Sequence, residues 1–342
     1  MARDTQSFAS RVVAWQREHG RHDLPWQRTR DPYRIWLSEI MLQQTQVGVV
    51  VPYYERFVAA FPDVRSLAAA PIERVLERWS GLGYYRRAHH LHAAARAIID
   101  RHGGEFPRDA TTLAQLPGIG RSTAAAIAAF AFDERGAILD GNVKRVLSRH
   151  CGIAVPEKKL WDVAERLLPE SDIQSYTQGM MDLGATVCTR TPACLLCPVN
   201  EDCVARHEGR IDELPGLRPM RELPKREIRV LVIEQRGEWM FERRPPTGVW
   251  SGLLSFPEIA VGDDVAAAVR ERCCAEPMTS VALSPIVHGF THFTLTLRPQ
   301  RVVIDASQIP ESGGQHVWMT RAAALEAALP APIKRLVASL EV

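Results

Sequence analysis

The 342-residue sequence has no long hydrophobic run, no strong charge of either sign, and no heptads, internal repeats or low-complexity tail. Its longest Ala-rich apolar stretch, Ala124 to Phe132, is nine residues. That is about half of what a helix needs to cross a bilayer, so no membrane span is expected. A formal net charge of +2 excludes a uniformly basic surface. Any nucleic-acid contact must then be a local patch, such as Arg86 and Arg87 or Lys144, Arg145 and Arg149. The opening Met-Ala-Arg-Asp-Thr-Gln lacks the apolar core of a secretory signal, which predicts a reducing, cytoplasmic setting and argues against disulfides. Hydrophobic content of 46% and charged content of 24% are ordinary for a soluble globular protein, and the length suits roughly two domains.

Four of the seven cysteines, Cys188, Cys194, Cys197 and Cys203, fall within sixteen residues, separated by five, two and five residues. Short loops of this kind turn back on themselves, so the thiolates can wrap one tetrahedral metal or one cubane cluster. Spacing alone does not separate zinc from a [4Fe-4S] cluster, because all-thiolate sites suit both. Cys151, Cys273 and Cys274 lack a complete ligand set and read as small core residues, and His89, His90 and His92 as surface groups.

The two halves have different periods. Through residue 205 apolar residues recur at three- and four-residue spacing, as in Leu91, Ala94, Ala95, Ile98 and Ile99, which predicts packed helices. Residues 206–227, rich in Pro, Gly and charge, read as a linker. From Ile228 the pattern changes: a β-branched run, a turn at Arg236-Gly237 and a return through Trp239 to Glu242 predict a hairpin. Phe293, Leu295 and Leu297 alternate with threonines as in a half-buried strand, and helical spacing recurs near Val265 to Arg272 and Ile333 to Leu340. Residues 228–342 therefore read as an α+β domain behind an all-helical one.

Leu116-Pro117-Gly118-Ile119-Gly120 precedes an apolar helix beginning at Arg121, a tight turn whose free amides and helix dipole suit an anion such as a phosphate. The same turn also serves as an ordinary helix-helix connection. Twenty residues after Gly120, Asp140 stands before Val143, Val146 and Leu147 at helical spacing. A carboxylate there caps a helix and is expected to stay ionised.

These features, with the cysteine cluster downstream, resemble the helix-hairpin-helix DNA glycosylases. Pro32-Tyr33, the run Trp36-Leu37-Ser38-Glu39-Ile40-Met41-Leu42-Gln43-Gln44-Thr45-Gln46-Val47, Gly81-Leu82-Gly83-Tyr84-Tyr85 and Asp140-Gly141-Asn142-Val143-Lys144-Arg145 resemble the adenine DNA glycosylase family of the MutY type over nearly the whole chain. The resemblance implies a helix-hairpin-helix domain with a [4Fe-4S] loop on the four cysteines, zinc being the alternative. A Nudix-like domain follows it. It implies a monomeric base excision repair enzyme acting on double-stranded DNA that holds adenine opposite 8-oxoguanine or guanine.

Hydrolysis of a purine N-glycosidic bond needs an acid for the leaving base and a carboxylate for the oxocarbenium-like sugar. Glu39, set among Trp36, Leu37, Ile40 and Leu42, suits the first task, and Asp140 the second; the resemblance assigns them these roles. It also implies support from Ser122 and Asn142. DNA or lesion contacts are implied for Gln43, Gln44, Thr45, Leu82, Tyr84, Gly118, Gly120, Lys144 and Gln178, with Tyr84 as the side chain that enters the base stack. Ser122 occupies the place of the lysine that forms a Schiff base in the related endonuclease III group, so a monofunctional glycosylase is expected. A bifunctional glycosylase-lyase and a non-catalytic damage-binding protein are the competing readings.

In the C-terminal half, Gly252 and Glu258 keep the opening of a Nudix box. Ala266, Ala267 and Arg270 replace its charged residues, which predicts no pyrophosphohydrolase activity. Phe290, Thr291 and His292 resemble the family's lesion-contacting loop, with threonine in place of serine. Two departures stand out: five residues instead of six separate the first two cluster cysteines, and Gln27 replaces an arginine after Pro-Trp.

Overall fold

The structure, a computed structural model, describes residues 7–154, 157–216, 222–245, 247–305 and 316–340. The first part is helical: α1 Phe8–His19, α2 Pro32–Leu42, α3 Val47–Ala60, α4 Val64–Ala69, α5 Ile72–Trp79 and α6 Arg86–His102. These are followed by α7 Ala110–Leu113, α8 Arg121–Phe132, α9 Gly141–Cys151, α10 Glu157–Leu167, α11 Ile173–Asp182 and α12 Val204–His207. Then come β1 Lys225–Gln235, β2 Glu238–Arg243, β3 Leu254–Ser255, β4 Glu258–Ile259, α13 Val265–Cys273, β5 Pro277–Ala282, β6 Ile286–Gly289 and β7 Thr294–Ile304. β8 His316–Thr320, α14 Arg321–Glu326 and α15 Ala331–Ser339 complete the order. No helix among the described residues is long and apolar enough to cross a membrane.

Two compact units form: Met1–Ala70 with His90–Pro219, and Pro71–His89 with Met220–Val342. In the first, Val12 and Val13 of α1, Val143, Val146 and Leu147 of α9, and Tyr176 and Met180 of α11 share one buried cluster. Each such side chain contributes about 1.5–3 kcal/mol by leaving water. α2 is set by its ends and its apolar content. Asp31 caps it by accepting the Tyr33 amide at 3.0 Å and Pro32 supplies a helical φ at the first position. Trp36, Leu37, Ile40 and Met41 are at most 2% exposed.

The second unit carries a mixed eight-stranded sheet of order β3-β2-β1-β7-β5, with β4 on β1, β6 on β7 and β8 on β2. The long β1–β7 pairing is parallel, from Lys225 opposite Thr294 to Glu234 opposite Val303. Arg236 (φ 50°) and Gly237 (φ 80°) form the β1–β2 turn, the left-handed pair that matches strand twist. The expected alternation around Leu295 and Leu297 appears in β7, and the strand predicted from Ile228 begins at Lys225, inside the stretch read as linker. Of that stretch, residues 217–221 lie outside the described ones.

The segment 71–89 gathers with the C-terminal half through specific bonds. The Tyr85 hydroxyl and the Ser80 hydroxyl both donate to the Leu329 carbonyl at 3.4 Å, and His89 Nε2 lies 3.0 Å from the Ser251 carbonyl. His89 and His92 are thus partly buried and hydrogen-bonded, His92 to the Ala70 carbonyl at 2.9 Å, and not free surface groups as the sequence suggests. Cys274 is a second correction. It ends α13 with φ 52° and is exposed, while Cys273 beside it is buried.

Candidate active site

A pocket of about 450 Å³ opens in the first unit. Ile35, Ser38 and Glu39 line it from α2, Phe130 from the end of α8, and Gln174, Ser175 and Gln178 from α11. The loop from Arg21 to Arg30 supplies much of the rest. Positions 35, 38 and 39, like 174, 175 and 178, recur at helical spacing, so each helix turns one stripe toward the cavity. Glu39 is the one carboxylate in this lining among the described residues.

Burial pushes the Glu39 carboxyl up to about 8, and the charge of Asp140 adds to the shift. Asp140 caps α9: its Oδ1 accepts the Asn142 amide at 2.9 Å and the Val143 amide at 2.8 Å. Those amides and Arg145 pull its pKa down, but burial outweighs them and the net direction is upward. Capping is therefore not the only influence on its ionisation, and desolvation is the larger effect. The two carboxyls still differ in kind. Every cause acting on Glu39 favours the neutral acid, whereas Asp140 has three that favour the anion. A proton offered to the pair therefore settles on Glu39.

Ser122 and Asn142 hold the aspartate's surroundings. The Ser122 hydroxyl accepts the Leu139 amide at 2.9 Å, fixing the backbone one residue before Asp140. Asn142 Oδ1 accepts from Arg145 Nη2 at 2.9 Å, and the same guanidinium donates to the carbonyls of Cys188 and Gly184, both at 2.6 Å. Arg145 thereby joins the start of α9 to the cysteine loop.

The hairpin turn before α8 requires glycine at 118, where φ is 78° and an added Cβ would stand 2.6 Å from that of His90. Gly120 caps α8 in an extended conformation with open space where a side chain would be. Gln43 Nε2 reaches toward Thr123 Oγ1 at 3.4 Å, Gln44 is exposed with φ 57°, and Thr45 is half-buried. Lys144 is ion-paired with Glu157 at 2.8 Å. The basic patches foreseen at Arg86-Arg87 and Lys144-Arg145-Arg149 are reduced. Arg87 is 8% exposed beneath Trp79 and Tyr84, and Arg149 is 5% exposed among the carbonyls of Thr189, Arg190, Ile211 and Leu214.

In the second unit, Gly81, Gly83 and Tyr84 all have positive φ. This loop buries Leu82 and leaves Tyr84 46% exposed, with Arg87 Cζ 5.4 Å from its ring. At another hairpin tip, Phe290 stacks on buried Phe293 at 4.4 Å while Thr291 and His292 are exposed. Of the Nudix-box residues, Glu258 is ion-paired with Arg244, and Arg270 faces Glu276 at 3.1 Å. Ala266 and Ala267 stand at the start of α13.

The four clustered cysteines line one small, mostly apolar cavity with Arg149 and His150. The loop of five residues closes through the Ala193 amide on the Val187 carbonyl at 3.0 Å. Arg149 Nη1 lies 3.6 Å from Cys188 Sγ. Among the described residues no three Cys, His, Asp or Glu side chains converge as a single-ion site would require. Four thiols lining one cavity are a donor set that suits either a single zinc or an iron-sulfur cluster.

Residues 37–169 match the model of the HhH-GPD superfamily base excision DNA repair protein, and residues 229–339 that of the NUDIX domain. An adenine DNA glycosylase from Buchnera aphidicola subsp. Baizongia pistaciae (strain Bp) is 31% identical over 343 residues, covering 98% of this chain and 97% of its own length. The chain belongs to the adenine DNA glycosylase family. The adenine DNA glycosylase of Mus musculus is 32% identical across 97% of this chain and 78% of its own. Among solved structures, a thermostable thymine-DNA glycosylase superposes with a TM-score of 0.56 at 31% identity, over 59% of this chain and 95% of that one. As an adenine DNA glycosylase the protein acts on DNA in base excision repair, cleaving the N-glycosyl bond that holds adenine.

Sequence reasoning did not find Arg21 and Asp182. Asp182 is 0% exposed; its carboxylate accepts the Arg21 amide at 2.9 Å, Arg21 Nε at 2.6 Å and Gln178 Nε2 at 2.8 Å. The available signal was one acid inside the apolar run Met180-Met181-Asp182-Leu183, since such a charge needs a buried partner. Gln27, noted only as a departure, donates Nε2 to the Arg21 carbonyl at 2.9 Å and accepts the Leu24 amide at 3.2 Å, so it braces the pocket's loop.

Proposed function

We propose that the protein is a monofunctional glycosylase for adenine opposite 8-oxoguanine or guanine, with Glu39 as general acid and Asp140 as the sugar-stabilising carboxylate. The observation that carries this reading is the pair itself: Glu39, pushed up to about 8, faces the pocket within the field of Asp140. An extrahelical adenine in the pocket meets a neutral acid suited to protonating the leaving base. The ionised Asp140, held by two amides, then faces the positive charge that develops on the sugar.

Strand discontinuity supplies the test. With a labelled duplex bearing adenine opposite 8-oxoguanine, breaks are expected only after alkali, because Ser122 has no amine and its hydroxyl is engaged with the Leu139 amide. Breaks without alkali would establish lyase chemistry, and binding without any product would leave a damage-binding protein. Tyr84 is assigned to the gap left by the flipped base, and Phe290, Thr291 and His292 to the lesion strand. Gln43, Gln44, Thr45 and the Gly118–Gly120 turn are assigned to the DNA backbone and base edges. Pairing with Glu157 makes Lys144 a weaker phosphate contact than its charge alone suggests.

Cys188, Cys194, Cys197 and Cys203 are assigned a [4Fe-4S] cluster. Bound there, the group would fix the loop that Arg145 ties to the start of α9. Purified protein is expected to show a broad absorbance band at about 400 nm and about four irons per chain, both lost in Cys197→Ser. A colourless protein carrying one zinc would overturn the assignment.

A further inference from the structure

We propose that Asp182 is a positioning residue that fixes the amide of Gln178 in one orientation and thereby sets the pocket's preference for an amino group on the purine. This inference rests on the reading of the pocket as the adenine site. Asp182 extends the stripe of Gln174, Ser175 and Gln178 by one helical turn, but it is 0% exposed and does not itself line the pocket. It acts through its two partners.

A carboxylate held in ion pairing with an arginine has only lone pairs to offer, so every group pointed at it must donate. Arg21 presents its main-chain amide, Nε and Nη2, the last at 2.6 Å. Gln178 presents Nε2 at 2.8 Å. A glutamine amide has one donor end and one acceptor end, and the donor end is thus committed to the buried side. Although the –NH₂ has a second N–H, turning the nitrogen end to the buried carboxylate leaves the carbonyl oxygen as the end turned to the pocket that Gln178 lines. An acceptor there matches the exocyclic amine of adenine and opposes the C6 oxygen of an oxopurine. Arg21 is itself over-determined, its carbonyl held by Gln27 at 2.9 Å, so the carboxylate cannot drift with a mobile partner.

Asp182→Asn removes the constraint. The new amide can keep its oxygen on Arg21 and turn its NH₂ toward Gln178, which would then rotate and show a donor to the pocket. Single-turnover excision by the full-length protein is compared on two duplexes, one with adenine and one with unsubstituted purine, which has hydrogen at C6. The adenine rate is expected to fall about tenfold more than the purine rate, the size of one lost hydrogen bond. In a Gln178→Leu background this differential loss is expected to vanish. Equal losses on both bases, or a differential loss that persists without Gln178, would overturn the proposal. Parent protein that fails to excise adenine would instead sink the reading on which it rests. If Asp182→Asn does not fold by circular dichroism, Asp182→Glu keeps the charge for Arg21 while displacing the partner of Gln178. The same comparison then decides.

Discussion

Glu39→Gln is expected to lower single-turnover adenine excision by about 10²–10⁴-fold while leaving the fold intact or more stable. Glutamine preserves the shape of the side chain on α2 but has no proton to give the leaving base. The parent's pH profile should identify the group. Excision that depends on neutral Glu39 falls as pH rises through about 8, roughly tenfold per unit beyond it, and the residual activity of the variant should lack this alkaline limb. Stability supplies a second sign. The folded-state pKa lies above the unfolded one, so the native state binds more protons between the ordinary carboxylate range and about 8. Raising pH through that window therefore costs the parent stability. The Tm difference in favour of Glu39→Gln is expected to grow from pH 5 to pH 8 and then level off. A parent profile flat through pH 8, or a Tm difference independent of pH, would remove Glu39 from the role of acid.

The residues that announced themselves in the sequence are those whose chemistry is local to a motif. Glu39 and Asp140 were legible through the motifs that resemble the family, since alone the first reads as a solvated helix-face glutamate and the second as a helix cap; the cysteines were legible because their spacing closes one loop. What stayed hidden depends on contacts between distant segments. Arg21 and Asp182 are 161 positions apart and meet only when α1 and α11 pack together. Arg149 reads as a basic patch with Lys144 and Arg145, but its face of α9 turns toward the cysteine loop and is 5% exposed. Leu82 and Tyr84 are equivalent as letters between glycines, yet backbone geometry buries one and presents the other. Discontinuous assembly is the clearest case: helical periodicity places residues 71–89 among helices and contains nothing that gathers them with a sheet-bearing unit. Even the ionisation of Asp140 required three dimensions, because capping amides are a local effect and burial is a global one.

Asp140→Asn is expected to be the other severe lesion, with excision reduced by about 10²–10³-fold. Asparagine caps helices about as well as aspartate, so the Asn142 and Val143 amides keep an acceptor and the Tm should stay close to the parent's. What is lost is charge. Without an anion facing it, the developing oxocarbenium character of the sugar is unstabilised at the moment the bond to adenine breaks. The variant also tests whether the two carboxyls act as a pair. Asp140 contributes to the raised pKa of Glu39, second to burial, so neutralising it should lower that pKa while burial keeps it above the ordinary carboxylate range. The alkaline limb of the variant's residual activity is accordingly expected at lower pH than the parent's. A matching loss of rate with the limb unmoved would mean that Asp140 assists the sugar without sensing Glu39; a shifted limb with little loss of rate would reverse that division. Both effects together require one field linking the acid that releases the base to the anion that receives the charge left behind.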